Sequence, residues 1–199
     1  MDWNDFYCPA PYPVDETVRN DAALHCQSHG LGAFEQGLTE MDIIYHPIGV
    51  IHSPFKDLQD MPIQPVSEAS AAGTIEVFPE FVAGLKDLEG FSHVIMLYHL
   101  HQVFRFNLTV TPFLDSEPHG IFATRAPTRP NPIGLSIVKL LRIEGNTLYM
   151  GNVDVLDGTP LLDLKPYIPE FDWQSEARIG WLEQTEGRMR TVRSDDRFI

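Results

Sequence analysis

The chain has 199 residues, 43% of them hydrophobic and 21% charged, which supplies a core for one ordinary domain and excludes global disorder. Fourteen Lys and Arg stand against 28 Asp and Glu, a net charge of −14 that excludes a nucleic-acid binder with a broad basic face. Sixteen prolines and 14 glycines point to many short elements joined by turns.

Charge divides the chain into three parts. Residues 1–42 hold eight acids and one base, residues 43–173 fifteen acids and eight bases, and residues 174–199 five of each. The first part reads as an acidic N-terminal extension. It contains Pro9, Pro11 and Pro13, a weak helix over Asp15–His29, and Cys8 and Cys26, which could pair but, with no CxxC motif, read as lone thiols. The start lacks the basic and apolar regions of a signal peptide and no run is long enough to span a membrane, so a cytoplasmic location is expected.

From Ile43 the pattern changes to short apolar runs of strand type. Ile43–Ser53 and Gly73–Phe78 are predicted strands, and Pro79–Leu85 has helical spacing with proline in its first turn. Strands follow at His93–Tyr98, Phe106–Pro112, Gly120–Thr124, Leu135–Ile143 and Leu148–Leu156, the last two joined by the turn Glu144-Gly145-Asn146. Ser175–Glu186 is a predicted helix, capped by Ser175 and followed by a tail with Arg188, Arg190, Arg193 and Arg197. The expected fold is mainly β, a small barrel of about seven strands with a few short helices.

Three segments can carry chemistry. The first is Ala123-Thr124-Arg125-Ala126-Pro127-Thr128-Arg129-Pro130-Asn131-Pro132-Ile133-Gly134, where prolines stiffen the backbone around two arginines whose planar forks suit carboxylate or phosphate. Those arginines can equally pair with neighbours and tie the loop down. Between Glu117 and Glu144 there is no acid, while Arg125, Arg129, Lys139 and Arg142 all occur, a local patch of +4 in an acidic protein. The second segment, Asp154–Tyr167, contains the turn former Asp157-Gly158 and sets Asp154, Asp157, Asp163, Lys165 and Tyr167 among apolar residues, where polar groups need partners. The third is His99-Leu100-His101-Gln102. Its two histidines share a strand face, yet spacing fixes no third ligand, so no metal is expected. No P-loop, glycine-rich dinucleotide loop or zinc motif occurs.

In order along the chain, Ile48–Lys56, Leu88–His93, His101-Gln102, Phe122–Arg125, Arg129–Gly134, Asp157–Pro160 and Lys165-Pro166-Tyr167 resemble the TsaA-like (TrmO) family of S-adenosylmethionine-dependent methyltransferases. The resemblance spans about residues 45–173. It is similar to the archaeal-type branch in Val103–Pro118 and without the further C-terminal domain of many bacterial members. The resemblance implies a β-barrel binding S-adenosyl-L-methionine, a homodimer with cofactor sites near the subunit interface, and N6-methylation of threonylcarbamoyladenosine at position 37 of tRNA. Carried over position by position, the cofactor is held by Gln64, Pro65, Val66, His101, Gln102, Arg125, Leu135, Asp154, Asp157, Gly158 and Thr159. Arg129, Asn131, Lys139 and Arg142 are then candidates for tRNA contact. The general base is unassigned, with Tyr167, Asp163 and Lys165 as candidates. Two alternatives keep the fold and cofactor: methylation of a small molecule or protein, and a non-catalytic S-adenosylmethionine-binding module.

Overall fold

A computed structural model describes residues 43–58, 61, 71–185 and 194. The extension 1–42, with both cysteines and its predicted helix, lies outside the described residues, as does most of the arginine tail. A compact unit that contains the strands begins at Ile44.

Its strands are β1 (Gly49–His52), β2 (Ala71–Val77), β3 (His93–His99), β4 (Thr109–Val110), β5 (His119–Gly120), β6 (Ile133–Glu144), β7 (Thr147–Val153) and β8 (Thr159–Pro166). Six of them close into an antiparallel barrel in the order β1-β2-β7-β6-β3-β8, while β4 and β5 form a separate ribbon. The mainly-β barrel read from the sequence is therefore present, with six strands in the barrel. A six-stranded barrel is narrow enough to be filled by side chains. Inward positions alternate along each strand, and Ile51, Ile75, Val94, Met96, Val138, Leu148, Met150 and Leu161 are fully buried.

Closure depends on three irregularities, each adding a residue to one strand. Register shifts occur in β6 between Leu140 and Arg142, opposite Met150 and Tyr149, and in β8, where Tyr98 and Leu97 pair with Leu161 and Asp163. The third lies in β7 between Met150 and Val153. There Asn152 takes a left-handed φ of 62°, and the bulge turns the chain that leads into Asp154. This ends β7 at Val153, short of the Leu156 expected.

Other boundaries differ for physical reasons. Gly120–Thr124 is not a strand: Ile121–Ala123 is a 3-10 turn, and the run predicted at Phe106–Pro112 pairs only at Thr109–Val110. Pro79–Leu85 is 3-10 rather than α. The helix predicted over Ser175–Glu186 reduces to a 3-10 segment at Gly180–Thr185, because Gly180 has φ +60° and interrupts any helical run at its middle. One α-helical turn, α1, occupies Pro169–Asp172. Strand β8 escaped the sequence reading because two prolines and the charged Asp163 and Lys165 interrupt its apolar pattern.

The two barrel ends differ. Ile48, Phe81, Leu85, Leu88 and Ile143 pack on the core where β1 begins and β2 and β6 finish, and they plug that end with apolar side chains. At the other end Gly134 lies opposite Tyr98 in the β3–β6 register. A Cβ on Gly134 would come within 2.1 Å of the Tyr98 ring, so only glycine lets the phenol lie across β6. Gly134→Ala should therefore cost about 1–3 kcal/mol in urea unfolding. Gly120→Ala, at a site with open space around it, should stay within about 0.5 kcal/mol of wild type.

Candidate functional site

Strands β1, β3 and β7 end, and β2, β6 and β8 begin, at the barrel end not plugged by Phe81 and Leu85. Three connections therefore open together: 53–70, 100–132 and 154–158. They hold His101, Gln102, Arg125, Arg129, Asn131, Asp154, Asp157 and Gly158, with Thr159 at the start of β8. Gln64, Pro65 and Val66 belong to the first connection but lie outside the described residues. The nearest described residue, Met61, is buried and fixed by Ser194: the Met61 N–H donates to Ser194 Oγ (2.9 Å), and Ser194 N–H donates to the Met61 carbonyl (3.0 Å).

Inside the mouth, Ser136 Oγ donates to Asp154 Oδ1 at 2.8 Å and lies 3.0 Å from the Tyr98 hydroxyl. Ser136 has one proton and gives it to Asp154, so the Tyr98 hydroxyl donates to Ser136. Burial holds the Tyr98 phenol far above its ordinary value and keeps it protonated. Burial also pushes Asp154 up from 3.8 to about 6, against the opposing pull of the Ser136 hydrogen bond and the Arg125 charge. Arg125 is exposed, and among the described residues no carbonyl or side chain accepts a hydrogen bond from its guanidinium. The mouth thus presents a carboxylate short of counter-charge and, in the same electrostatic neighbourhood, a cation without a bonded partner.

His101 lies at the same barrel end, in the connection that follows β3. Thr159 Oγ1 donates to the Leu156 carbonyl (2.7 Å) and sits 3.3 Å from His101 Nδ1. With the hydroxyl proton spent, Nδ1–H must be the donor to Thr159. Burial first, and the neighbouring His99 second, push the His101 pKa below its ordinary value. A hydrogen bond to the His99 backbone opposes this shift without reversing it, and the ring is neutral near pH 7.

The remaining sequence candidates have other surroundings. Asp157 receives the Ser53 N–H at 3.0 Å and pairs with Lys56, which together hold its carboxyl below the usual range, the Lys56 hydrogen bond foremost. With Gly158 N–H bonded to the Ile51 carbonyl, this turn is bolted to β1. Arg129 Nη1 donates to the carbonyls of Ile121 (3.2 Å) and Thr124 (2.9 Å), so it clamps its own loop. Gln102 and Asn131 are exposed at the mouth.

Leu135 faces outward, on the opposite side of β6 from Ser136. Asp163 and Lys165 also stand on the outer face, as an ion pair at 2.7 Å. Tyr167 donates its N–H to the His93 carbonyl, five residues along β3 from Tyr98, or about 17 Å. Lys139 pairs with His93 in register. Arg142 is bonded to Glu144 (2.7 Å) and stacked 3.4 Å over Tyr149. The base candidates and two of the four tRNA candidates are thus not brought to Arg125 and Asp154.

Sequence reading missed Tyr98, Ser136 and Ser194. A lone serine at an inward position of an apolar strand is the one signal that marks Ser136; nothing marks the others. No group of three or more His, Cys, Asp or Glu converges as a metal site among the described residues. No helix among them is long and apolar enough to cross a membrane.

Folding raises the Asp154 pKa, so the native state holds an extra proton between about pH 4 and 6. The contribution of Asp154 to stability is greatest below this window and falls as pH rises through it, by roughly 2–3 kcal/mol. Asp154→Asn keeps an acceptor for Ser136 without the charge. In denaturant titrations it should match wild type near pH 4 and exceed it near pH 8, and an equal difference at both values would refute the assignment.

Several known proteins are similar to this chain in sequence and fold. The model of the tRNA-methyltransferase O N-terminal domain matches residues 50–173. The chain is 55% identical over 157 residues to a probable S-adenosyl-L-methionine-binding protein of Pyrococcus abyssi, covering 79% of this chain and 85% of that one. It is 37% identical over 148 residues to a mouse tRNA (adenine(37)-N6)-methyltransferase, covering 71% of this chain and 34% of the relative. The crystal structure of TrmO from Pseudomonas aeruginosa superposes with a TM-score of 0.60 at 40% identity, over 71% of this chain and 63% of that one. With a family model covering more than half its length and a relative 55% identical over most of it, this chain belongs to the tRNA-methyltransferase O N-terminal domain family.

Proposed function

We propose that the chain is an S-adenosylmethionine-dependent methyltransferase acting on N6 of threonylcarbamoyladenosine beside the tRNA anticodon. The observation that carries the cofactor reading is the Arg125–Asp154 pair at the barrel mouth. The methionine end of the cofactor is a zwitterion. Its carboxylate matches the unbonded Arg125 fork, and its ammonium matches Asp154, which burial leaves in need of a cation. The Pyrococcus relative is named for binding this cofactor, and the mouse relative for methylating adenine 37 of tRNA.

When bound, the cofactor supplies an activated methyl group on a sulfonium, displaced in line. The protein's contribution is position and a proton acceptor. Tyr98 and Ser136 fix the Asp154 carboxylate, and Arg125 fixes the other end of the zwitterion. The neutral His101 ring is the acceptor for the proton that the substrate nitrogen loses. The 14 bases against 28 acids favour a second reading, a small-molecule acceptor; methyl transfer to metabolites but not to modified tRNA would select it.

A homodimer fits the barrel's outside. Outward positions of β6 carry Ile133, Leu135, Ile137 and Leu141, each 40–50% exposed, opposite the outward Leu97 and Ile95 of β3. A strip of this kind is covered by another surface in most soluble proteins.

The purified protein should transfer a methyl group to an anticodon stem-loop RNA containing threonylcarbamoyladenosine and not to its unmodified adenosine counterpart. Arg125→Ala should weaken cofactor binding about 10- to 100-fold by calorimetry. His101→Gln should lower kcat at least about 100-fold with a small change in KM. Methyl transfer undiminished in His101→Gln would remove the histidine from the mechanism. Leu135→Asp should shift the protein to monomer in analytical ultracentrifugation, and an unchanged sedimentation profile would place any subunit contact elsewhere.

A further inference from the structure

Phe122 is 76% exposed, yet the turn that carries it is held by hydrogen bonds on both sides of the ring. The flanking residue Ile121 is 1% exposed and packs with Val110 and Ala126. The Ile121 carbonyl receives Arg129 Nη1 (3.2 Å), Thr124 Oγ1 (3.0 Å) and Thr124 N–H (3.1 Å). The Ala123 carbonyl receives the Trp181 indole N–H at 2.8 Å. Trp181 is itself stacked on His119 at 4.5 Å, and His119 is held by Asp115 at 3.0 Å. Two separate stretches of chain thus converge to hold still a turn whose central side chain contributes nothing to the core.

The surroundings of the ring are cationic. The Arg129 guanidinium lies 5.9 Å from the Phe122 centroid. Among the described residues only its Nη1 is hydrogen-bonded, which leaves its remaining N–H groups for a phosphate. Arg125 is three residues on, a chain span of at most about 11 Å. No acid occurs from residue 118 to residue 143. Asn107 N–H is bonded to the Thr128 carbonyl at 3.1 Å, which brings the half-exposed Phe106 to the same loop. An immobilised aromatic face flanked by arginines suits a nucleobase: every base has a π-face, and a rigid platform loses little entropy on stacking.

We infer that Phe122 is a stacking platform for an unpaired nucleobase next to the methyl acceptor, with Arg129 meeting the adjacent phosphate. The inference rests on the tRNA reading above and identifies the surface that reads the RNA loop. An apolar protein partner would use the same ring for hydrophobic contact, and a leucine there would serve it as well.

The test is binding of the modified anticodon stem-loop to full-length Phe122→Ala, Phe122→Leu and Phe122→Tyr, by fluorescence anisotropy, with cofactor affinity measured in parallel. Stacking predicts RNA binding weakened roughly 5- to 150-fold in Phe122→Ala and Phe122→Leu. Phe122→Tyr should stay within about twofold of wild type, and cofactor affinity should be unchanged in all three. Unchanged RNA affinity in Phe122→Ala overturns the platform, as does full affinity in Phe122→Leu or a parallel loss of cofactor binding. RNA binding with the expected aromatic dependence but without methyl transfer would support the platform and defeat the proposed reaction. Wild-type protein that binds no RNA would overturn both.

Discussion

A carboxylate kept inside the mouth of a six-stranded barrel is the constraint on which the other features of this end depend. Asp154 is tolerable there because Ser136 donates to it and Tyr98 donates to Ser136. The chain of donors requires Tyr98 to lie across β6, which requires a residue without Cβ at 134. It also requires the β7 bulge at Asn152, which turns Asp154 toward Ser136. The network satisfies the carboxylate without neutralising it, and a buried anion short of counter-charge is a site for a cation.

The apolar plug at one end and the polar mouth at the other sort the basic residues by task. Lys139 and Arg142 lie along the far half of β6, and Arg142 is already held by Glu144 and Tyr149. Arg125 and Arg129 stand at the mouth, the first without a hydrogen-bond partner among the described residues and the second clamping the loop that presents Phe122. An acidic protein can meet an RNA loop in this way, with a small cationic and aromatic surface instead of a basic face.

Much of this was legible in the sequence, and the failures are instructive. Turn chemistry located the β6–β7 hairpin, and the apolar run at His93–Tyr98 proved to be a barrel strand. Of the two polar segments read at 123–134 and 154–167, the parts before β6 and before β8 proved to be neighbouring loops. Strand β6 shows the limit of alternation. Its inward residues at the mouth are Gly134 and Ser136, while Ile133, Leu135 and Ile137 face out. A period-2 pattern identifies two faces but does not say which is the core when a site occupies the inside and a partner can cover the outside. The hydrogen bonds from Trp181 and Ser194 join residues 58 and 133 positions apart, and no local pattern encodes them. Asp163, Lys165 and Tyr167 adjoin Thr159 in sequence, yet the strand that carries them leads down the outside of the barrel and away from the mouth.

The central claim is that Arg125 and Asp154 hold opposite ends of one zwitterion. Calorimetric affinities of S-adenosylmethionine and of its decarboxylated analogue for wild type and Arg125→Ala test it most directly. If Arg125 binds the carboxylate, wild type should prefer the intact cofactor about 10- to 100-fold and Arg125→Ala should bind the two alike. An undiminished preference in Arg125→Ala would show that the carboxylate is held elsewhere and would contradict the assignment of the site.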